Sequence, residues 1–210
     1  MSHAHAYWIS DQTHPLMKLA IHFGSQLAHP PEQCNDWLVE WPPHEGQHDP
    51  LRAAGGDQGN LAFRIRVAML GSFGASAPVE KWSDLDMAIF KQHADWYKQS
   101  VRHVIRHADQ YLLTEAPPLD GNGDWAAIWY ALPDATRGTL FAFRLANGAP
   151  TRTFALPGLD PSATYMLKSP EGWSATATGA QLAEGISLEA EAPFRSVLLS
   201  VEIIRQSKYT

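Results

Sequence analysis

The run YWISDQTHP at residues 7–15 decides how the first half of this chain folds. A short apolar segment ends there in the carboxylate of Asp11, and from Pro15 onward apolar residues recur at helical spacing. A buried parallel strand commonly ends in this way where it passes through a loop into a helix. In barrel folds the catalytic groups lie at this end of the strands. Asp11 is therefore a candidate catalytic residue.

A structural role competes with the catalytic one for Asp11. Aspartate is common in turns and at helix N-caps, because its side chain accepts hydrogen bonds from nearby backbone N–H groups. Asp11 lies shortly before the predicted helix. The spacing by itself favours the structural interpretation.

Length and charge limit the class of protein. The 210 residues are enough for one large or two small domains. The 22 acidic and 16 basic residues form no long run of either sign, which argues against nucleic acid or an anionic membrane as the main partner. No apolar run approaches the roughly 20 residues of a membrane span, and the first residues lack the pattern of a signal peptide. A cytoplasmic protein is expected.

Up to about residue 108 the pattern alternates strands with helices. Strands are predicted at 5–10, 37–41 and 71–74, and helices at 15–28, at 60–70 and from Ser83, a good N-cap, to about His107. The order β-α-β-α-β-α implies parallel strands joined by crossover helices. Three such units complete neither a closed barrel nor a stable open sheet, so they resemble part of a larger structure.

Beyond Ala108 the pattern changes to short strands separated by turn residues. Strands are predicted at 111–114, 125–132, 139–146, 152–156, 165–168, 186–191 and 196–204. Two of them alternate clearly and give the shared faces Phe141, Phe143, Leu145 and Val197, Leu199, Val201, Ile203. This spacing indicates an antiparallel sandwich that begins near residue 109.

Two further groups of residues offer ligand chemistry. The loop at 41–49 combines Trp41 and His44 with carboxylates, which suits a polar ligand, while its prolines suit an ordinary rigid surface loop equally well. His3 and His5 form a pair of the kind that binds zinc at strand ends. No His-Glu-x-x-His or Cys-x-x-Cys motif accompanies the pair. A solvated N-terminal segment is the better interpretation, and no metal site is expected.

Several segments, in the same order along the chain, resemble one known family. WISDQTHP at 8–15 is similar to a Trp-Thr-Ser-Asp-Asn-Thr-Asp segment of that family, and RVAMLGSFG at 66–74 is similar to its Ala-Met-x-Gly-x-Phe-Gly segment. Tyr97, Lys98, Arg102 and 110–112 are similar to its last barrel helix and the entry to its next domain. GAQLAEGI at 179–186 is similar to its Gly-x-x-Leu-x-x-Gly segment. In this order they resemble the C-terminal part of the bacterial α-galactosidases of glycoside hydrolase family 36, the melibiase-like family.

The resemblance implies an α/β plus all-β fold, with the last three βα units of a (β/α)8 barrel at 1–108 and an antiparallel β-sandwich at 109–210. It implies that Asp11 is the general acid/base of a retaining enzyme that hydrolyses terminal α-galactosides without a cofactor. Trp8, Trp41 and His44 are expected to contact the substrate. The full-length parent is expected to be a homo-oligomer.

The chain also departs from the family pattern. His14 stands where the family usually has aspartate, and PPH at 42–44 follows a Pro-Asn-His loop only loosely. The family's nucleophile lies on an earlier barrel strand, in a Lys-x-Asp type of segment that this chain does not contain. The chain alone is therefore expected to be inactive.

A second interpretation has no catalysis in it. The chain would be a β-sandwich module for carbohydrate binding or oligomerisation, and its ligand would contact an aromatic row on one sheet face. The candidates for that row are Trp125, Trp129, Tyr130 and Trp173.

Overall fold

The first part of the chain forms a three-stranded parallel sheet flanked by helices. The computed structural model of the protein describes residues 6–39, 41–42, 51 and 61–204. The first elements are β1 (Tyr7–Trp8), α1 (Pro15–Ser25), a 3-10 turn (Pro31–Gln33), β2 (Cys34–Leu38), α2 (61–68) and β3 (Ser72–Ala75). The strands lie in the order β1-β2-β3, and each pair is parallel, as the alternation of strands and helices predicts.

A long helical segment follows, and one turn of it is irregular. α3 (Asp84–Trp96) begins at a capping box between Ser83 and Asp86, which confirms the predicted cap. A π-helical turn (Tyr97–Val101) then precedes α4 (Arg102–His107) and buries the side chain of Tyr97, whose hydroxyl donates to the Gly71 carbonyl at 2.9 Å. The first turn of α3 extends past the core, since its Leu85 side chain is 47% exposed.

The second part of the chain is antiparallel. Its elements are β4 (Asp109–Leu112), β5 (Trp125–Ala131), β6 (Arg137–Arg144), β7 (Thr151–Phe154), β8 (Thr164–Lys168), β9 (Ser174–Thr178), α5 (Gly179–Glu184), β10 (Ile186–Glu189) and β11 (Ser196–Ile203). Six strands form one sheet in the order β4-β5-β6-β11-β8-β9, and β7 pairs with β10 in a separate two-stranded sheet.

The predicted elements need three corrections. β2 lies at Cys34–Leu38 and not at 37–41, because Asp36 occupies a buried position of the strand and hides its alternation in the sequence. The segment 174–178 contains only serine, alanine and threonine, so it has no apolar signal, yet it forms the edge strand β9 along β8. Residues 179–184 form the short helix α5, which begins at a capping box on Thr178.

Both faces of the six-stranded sheet are covered by other elements, and a separate hydrophobic core lies on each face. On one face Ile128, Tyr130, Phe141 and Phe143 share a cluster with helix α1, helix α2 and the π-helical turn. On the other face Trp129, Leu140, Leu199 and Val201 pack against the β7–β10 pair and α5. The two alternating sets predicted from the sequence separate in this way, so their face assignment is confirmed. The all-buried pattern of β5 follows from burial on both sides.

Tyr130 joins the antiparallel sheet to the parallel half. Its hydroxyl lies 3.0 Å from both Gln26 Oε1 at the end of α1 and the Leu70 carbonyl before β3. Gln26 Nε2 donates to the same carbonyl at 2.9 Å. Burial raises the pKa of Tyr130 far above its usual value, so the phenol stays a neutral donor.

We expect Tyr130→Phe to lower the free energy of unfolding by about 1–3 kcal/mol, because buried Gln26 Oε1 loses its donor and the Leu70 carbonyl keeps only Gln26 Nε2. Urea denaturation measures the change. Tyr111→Phe is the matched control on the neighbouring strand β4. Its hydroxyl makes no hydrogen bond within the described residues, so about 0.5 kcal/mol or less is expected. Equal effects of the two substitutions would contradict this role of Tyr130.

A second contact between the two parts centres on the buried guanidinium of Arg66 in α2. Arg66 pairs with Glu171, and its Nε donates to His93 Nε2 at 3.2 Å. Since His93 Nε2 accepts this bond, Nδ1 carries the proton and donates to the Ile89 carbonyl at 2.9 Å. Burial, together with the Arg66 cation, lowers the pKa of His93 to about 4.

The protein should lose stability as the pH falls from about 6.5 to about 4. In that range His93 of the unfolded chain binds a proton and His93 of the folded chain does not, so acid favours unfolding. The loss should be on the order of 3 kcal/mol by pH 4, since the slope approaches about 1.4 kcal/mol per pH unit between the two pKa values. His93→Gln should flatten the dependence of the unfolding free energy on pH, whereas the exposed His103→Gln should leave it unchanged. Parallel pH profiles for His93→Gln and the unmodified protein would refute the assignment.

Candidate functional site

Asp11 lies at the carboxyl edge of the parallel sheet. Pairing continues one residue beyond β1 and β3, where the Ile9 N–H donates to Asn35 at 3.4 Å and the Ser76 N–H donates to Leu38 at 2.9 Å. Asp11 follows three residues after the end of β1, exposed and at a bend. It does not cap α1, because the N-cap is His14 and makes no side-chain capping bond. The structural alternative of an N-cap therefore does not apply.

Two tryptophans lie on the face of this sheet that turns away from α1. Trp8 and Trp37 meet edge to face, with ring centroids 5.3 Å apart and an interplanar angle of 89°. Both are partly open to solvent, at 40% and 37% exposure. Gly74 of β3 is level with Trp37 and gives it room, because a Cβ on Gly74 would lie 2.5 Å from the indole Nε1. The result is an accessible aromatic surface on the strands that lead to Asp11.

Buried polar groups hold the loop that carries Asp11. Asp36 of β2 points toward α1, where it forms an ion pair with Lys18 and accepts from His22 Nε2 at 2.7 Å. Lys18 is in the first turns of α1, so this ion pair fastens the start of α1 to β2. The loop at 9–14 is thereby anchored at both ends. Sequence reasoning missed Lys18, His22 and Asp36, although Lys18 and His22 stand at positions i and i+4 of a helix and so share one face.

The other predicted substrate residues are placed differently. The side chain of Trp41 is buried at 3% exposure, with the Arg64 guanidinium 5.9 Å from its ring centroid. The Trp41 carbonyl accepts from Trp82 Nε1 at 2.9 Å. His44 lies outside the described residues, as do His3 and His5. Substrate contact by Trp41 and His44 stays a prediction.

The described residues at this edge do not enclose a pocket for a sugar. The crevice between the loop and β2, lined by Thr13, Lys18 and Trp37, has a volume of about 10 Å³, which is about the space of one water molecule. A larger cavity of about 410 Å³ runs beside β3, between the edge of β3 that pairs with no described strand and the side chains of Phe90 and Arg102. The carboxyl edge thus presents Asp11 and the tryptophans on an open surface.

Within the described ranges, no group of three or more histidine, cysteine, aspartate or glutamate residues is arranged to hold a metal ion. None of the helices in the same residues has the length and apolar character to cross a membrane.

The proposed aromatic row of the sandwich does not form. Trp125 is 4% exposed, while Trp129 and Tyr130 are fully buried and lie on opposite faces of the sheet. Of the four candidates only Trp173 is open to solvent, at 49% exposure. A binding surface that uses all four is therefore excluded.

Gly74→Ala should separate Trp8 from Trp37, because the new methyl group occupies the space of the indole. We expect loss of the tryptophan exciton signal in circular dichroism and a decrease of about 1 kcal/mol or more in unfolding free energy. Gly24→Ala in α1 is the control. A Cβ there meets nothing within 4 Å, so this variant should keep the signal and gain about 0.5–1 kcal/mol. An unchanged signal in Gly74→Ala would show that Gly74 does not position the pair.

Comparison with known proteins identifies what the chain is similar to. No family model matches it. Alpha-galactosidase C of Emericella nidulans is 31% identical over 183 residues, which are 83% of this chain and 21% of that protein. The crystal structure of the GH36 α-galactosidase AgaB from Geobacillus stearothermophilus aligns with a TM-score of 0.74 and 26% identity over 93% of this chain and 25% of that one. A variant of AgaA from the same organism, crystallised with raffinose, aligns with a TM-score of 0.71 and 25% identity, again over 93% of this chain and 25% of that one.

The chain thus spans about a fifth to a quarter of the length of the proteins it matches. Sequence and structure comparisons agree on the family. The homologues of this chain are α-galactosidases of glycoside hydrolase family 36, and it matches the C-terminal portion of these proteins.

Proposed function

We propose that this chain is the C-terminal part of a retaining α-galactosidase, with Asp11 as the general acid/base. In this proposal residues 1–108 are the last three βα units of a (β/α)8 barrel, and residues 109–210 are the antiparallel domain that follows. The position of Asp11 carries the proposal. It is an exposed carboxylate at the carboxyl edge of a parallel sheet, beyond a strand that bears an exposed tryptophan.

The open edges of the parallel sheet support the barrel assignment. In the described part of the chain, β1 and β3 each pair with β2 alone, so each has one unpaired edge. The face with Trp8 and Trp37 is partly exposed, whereas the opposite face carries the buried residues Cys34, Asp36 and Leu38. A closed barrel would pair both edges and turn the exposed face toward its interior. The helix-covered face would then be the outside of the barrel.

The chemistry requires a second carboxylate about 5 Å from Asp11. In the first step this nucleophile attacks the anomeric carbon, and protonated Asp11 gives its proton to the glycosidic oxygen as that bond breaks. In the second step Asp11, now a carboxylate, takes a proton from water, and the water oxygen displaces the nucleophile. The sugar leaves with its original anomeric configuration.

The substrate class of this proposal is a terminal α-galactoside. The AgaA variant crystallised with raffinose supports the choice, because raffinose carries such a galactose. An aromatic surface beside the acid suits a sugar, whose C–H face stacks on indole rings. Trp8 is the exposed candidate for this contact, and Trp37 beside it is a second one that sequence reasoning missed.

A chimera tests the role of Asp11. The chain replaces the matching portion of AgaA, so that AgaA supplies the nucleophile. We expect hydrolysis of raffinose, and a decrease in kcat/KM of about 10²–10⁴-fold for Asp11→Asn. For an aryl α-galactoside with a good leaving group, Asp11→Asn should slow the first step less, because that leaving group needs little protonation. Added azide needs no deprotonation, so it should restore turnover and give α-galactosyl azide.

Two controls accompany the chimera. Asp109→Asn removes another exposed carboxylate and should leave kcat/KM unchanged. The 210-residue chain alone should not hydrolyse an aryl α-galactoside, since it supplies no nucleophile. Near-normal raffinose hydrolysis by the Asp11→Asn chimera would exclude Asp11 as the acid. Turnover by the isolated chain would refute its dependence on another carboxylate.

A further inference from the structure

A separate cleft lies where α2 and α3 meet the antiparallel part of the chain. Its volume is about 740 Å³, within the range of roughly 300–1,000 Å³ that small-molecule sites occupy. Its described lining comes from α2, α3, the turn between β8 and β9, and the strands β10 and β11. None of these residues belongs to the carboxyl edge around Asp11. The cleft is therefore a second concave surface with its own chemistry.

Trp173 forms one wall of this cleft, and the backbone turn that carries it is held in place. It ends a tight turn in which the Gly172 N–H donates to the Ser169 carbonyl at 3.1 Å and the Ser169 N–H donates to the Trp173 carbonyl at 2.9 Å. Gly172 has φ +91°, a conformation that favours glycine. The helices hold this turn from the other side of the cleft. Gln92 Nε2 donates to the Pro170 carbonyl at 2.7 Å, and Glu171 pairs with buried Arg66.

The floor of the cleft is apolar and its border is polar. Leu188 and Leu199 are buried beneath it, and Val197 is half-buried beside them. Carboxylate and guanidinium groups of Glu189 and Arg195 also line the cleft. An indole wall, an apolar floor and a few hydrogen-bonding groups suit a ligand that has both C–H faces and hydroxyl groups.

The charges of the described lining balance. Glu171 and Glu189 oppose Arg66 and Arg195. His93 adds no charge at neutral pH, because burial and the Arg66 cation lower its pKa to about 4. The cleft therefore offers no net attraction to an anion or a cation. An uncharged, hydroxyl-rich ligand fits this surface best.

We propose that the cleft beside Trp173 binds a neutral oligosaccharide at a site separate from the carboxyl edge. One sugar ring stacks on the Trp173 indole, and its hydroxyl groups hydrogen-bond to Glu189 and Arg195. The site does not depend on catalysis by Asp11.

Titration of the 210-residue protein with raffinose by isothermal calorimetry tests this site. We expect saturable binding and an affinity about tenfold or more weaker in Trp173→Ala and in Glu189→Gln, equal to about 1.4 kcal/mol or more. Trp173→Phe retains an aromatic face and should retain most of the affinity. Leu119→Ala is the control, an exposed apolar residue outside the cleft that should leave this binding unchanged. Because Trp173 is 49% exposed, its variants should unfold at the same temperature as the unmodified protein.

The outcomes separate this site from the proposed catalytic role. Binding lost in Trp8→Ala and kept in Trp173→Ala would place the sugar at the carboxyl edge and overturn the inference. Absence of saturable binding up to the solubility limit of raffinose would also overturn it. So would a Trp173-dependent dimer in sedimentation, since the cleft would then hold a second copy of the chain. The activity of the Asp11 chimera bears on none of these results, so either proposal can fail alone.

Discussion

The buried hydrogen bonds of Tyr130 join the antiparallel sheet to the parallel half of the chain. Its phenol lies 3.0 Å from both Gln26 and the Leu70 carbonyl, so strand β5 is bonded to the end of α1 and to the approach to β3 at the same point. Apolar residues from α1, α2 and the antiparallel sheet surround this point in a common core. Polar groups in such a core stabilise one arrangement only, because each donor must find its acceptor or lose a hydrogen bond that water would have supplied. The parallel strands therefore have a set position against the sheet.

This support acts on one side of the parallel sheet. The side toward α1 is closed by packing and by Asp36 with its partners Lys18 and His22. The other side carries Trp8 and Trp37 at partial exposure. The loop of Asp11 is therefore anchored on the side of the sheet toward α1, while the side with the two tryptophans is open. An exposed carboxylate held in place without an enclosing pocket is what the proposed division of the active site between this chain and the rest of a barrel requires.

How much of this arrangement the sequence predicts depends on the range of the interactions involved. The Ser83 cap, the start of α1 at Pro15 and the alternation at Phe141 and Phe143 are local features, and all of them are confirmed. The predicted bounds of β2 were wrong because Asp36 faces inward and breaks the apolar alternation of the strand. Its inward position is stabilised by the ion pair with Lys18 of α1, and the periodicity of the sequence does not show such a contact. The alternation of strand β5 predicts which face of the sheet Trp129 occupies. The burial of Trp129 depends on the β7–β10 pair, which covers that face. The indole of Trp41 illustrates the same limit, since its burial arises from packing among distant segments.

By itself the sequence determined the order of strands and helices apart from β9 and α5, the change from a parallel to an antiparallel pattern, and the family to which its segments are similar. These depend on caps, turns and periodicity within a few residues of the chain. The tertiary structure alone decided which aromatic side chains are exposed, how Gly74 makes room for Trp37, and that Arg66 meets Glu171 across 105 residues of sequence. It also decided that Asp11 is not a helix cap and that Trp173 forms a wall of a cleft. Contacts of this kind depend on strand register and on how separate elements pack, and neither leaves a mark in the local pattern of residues.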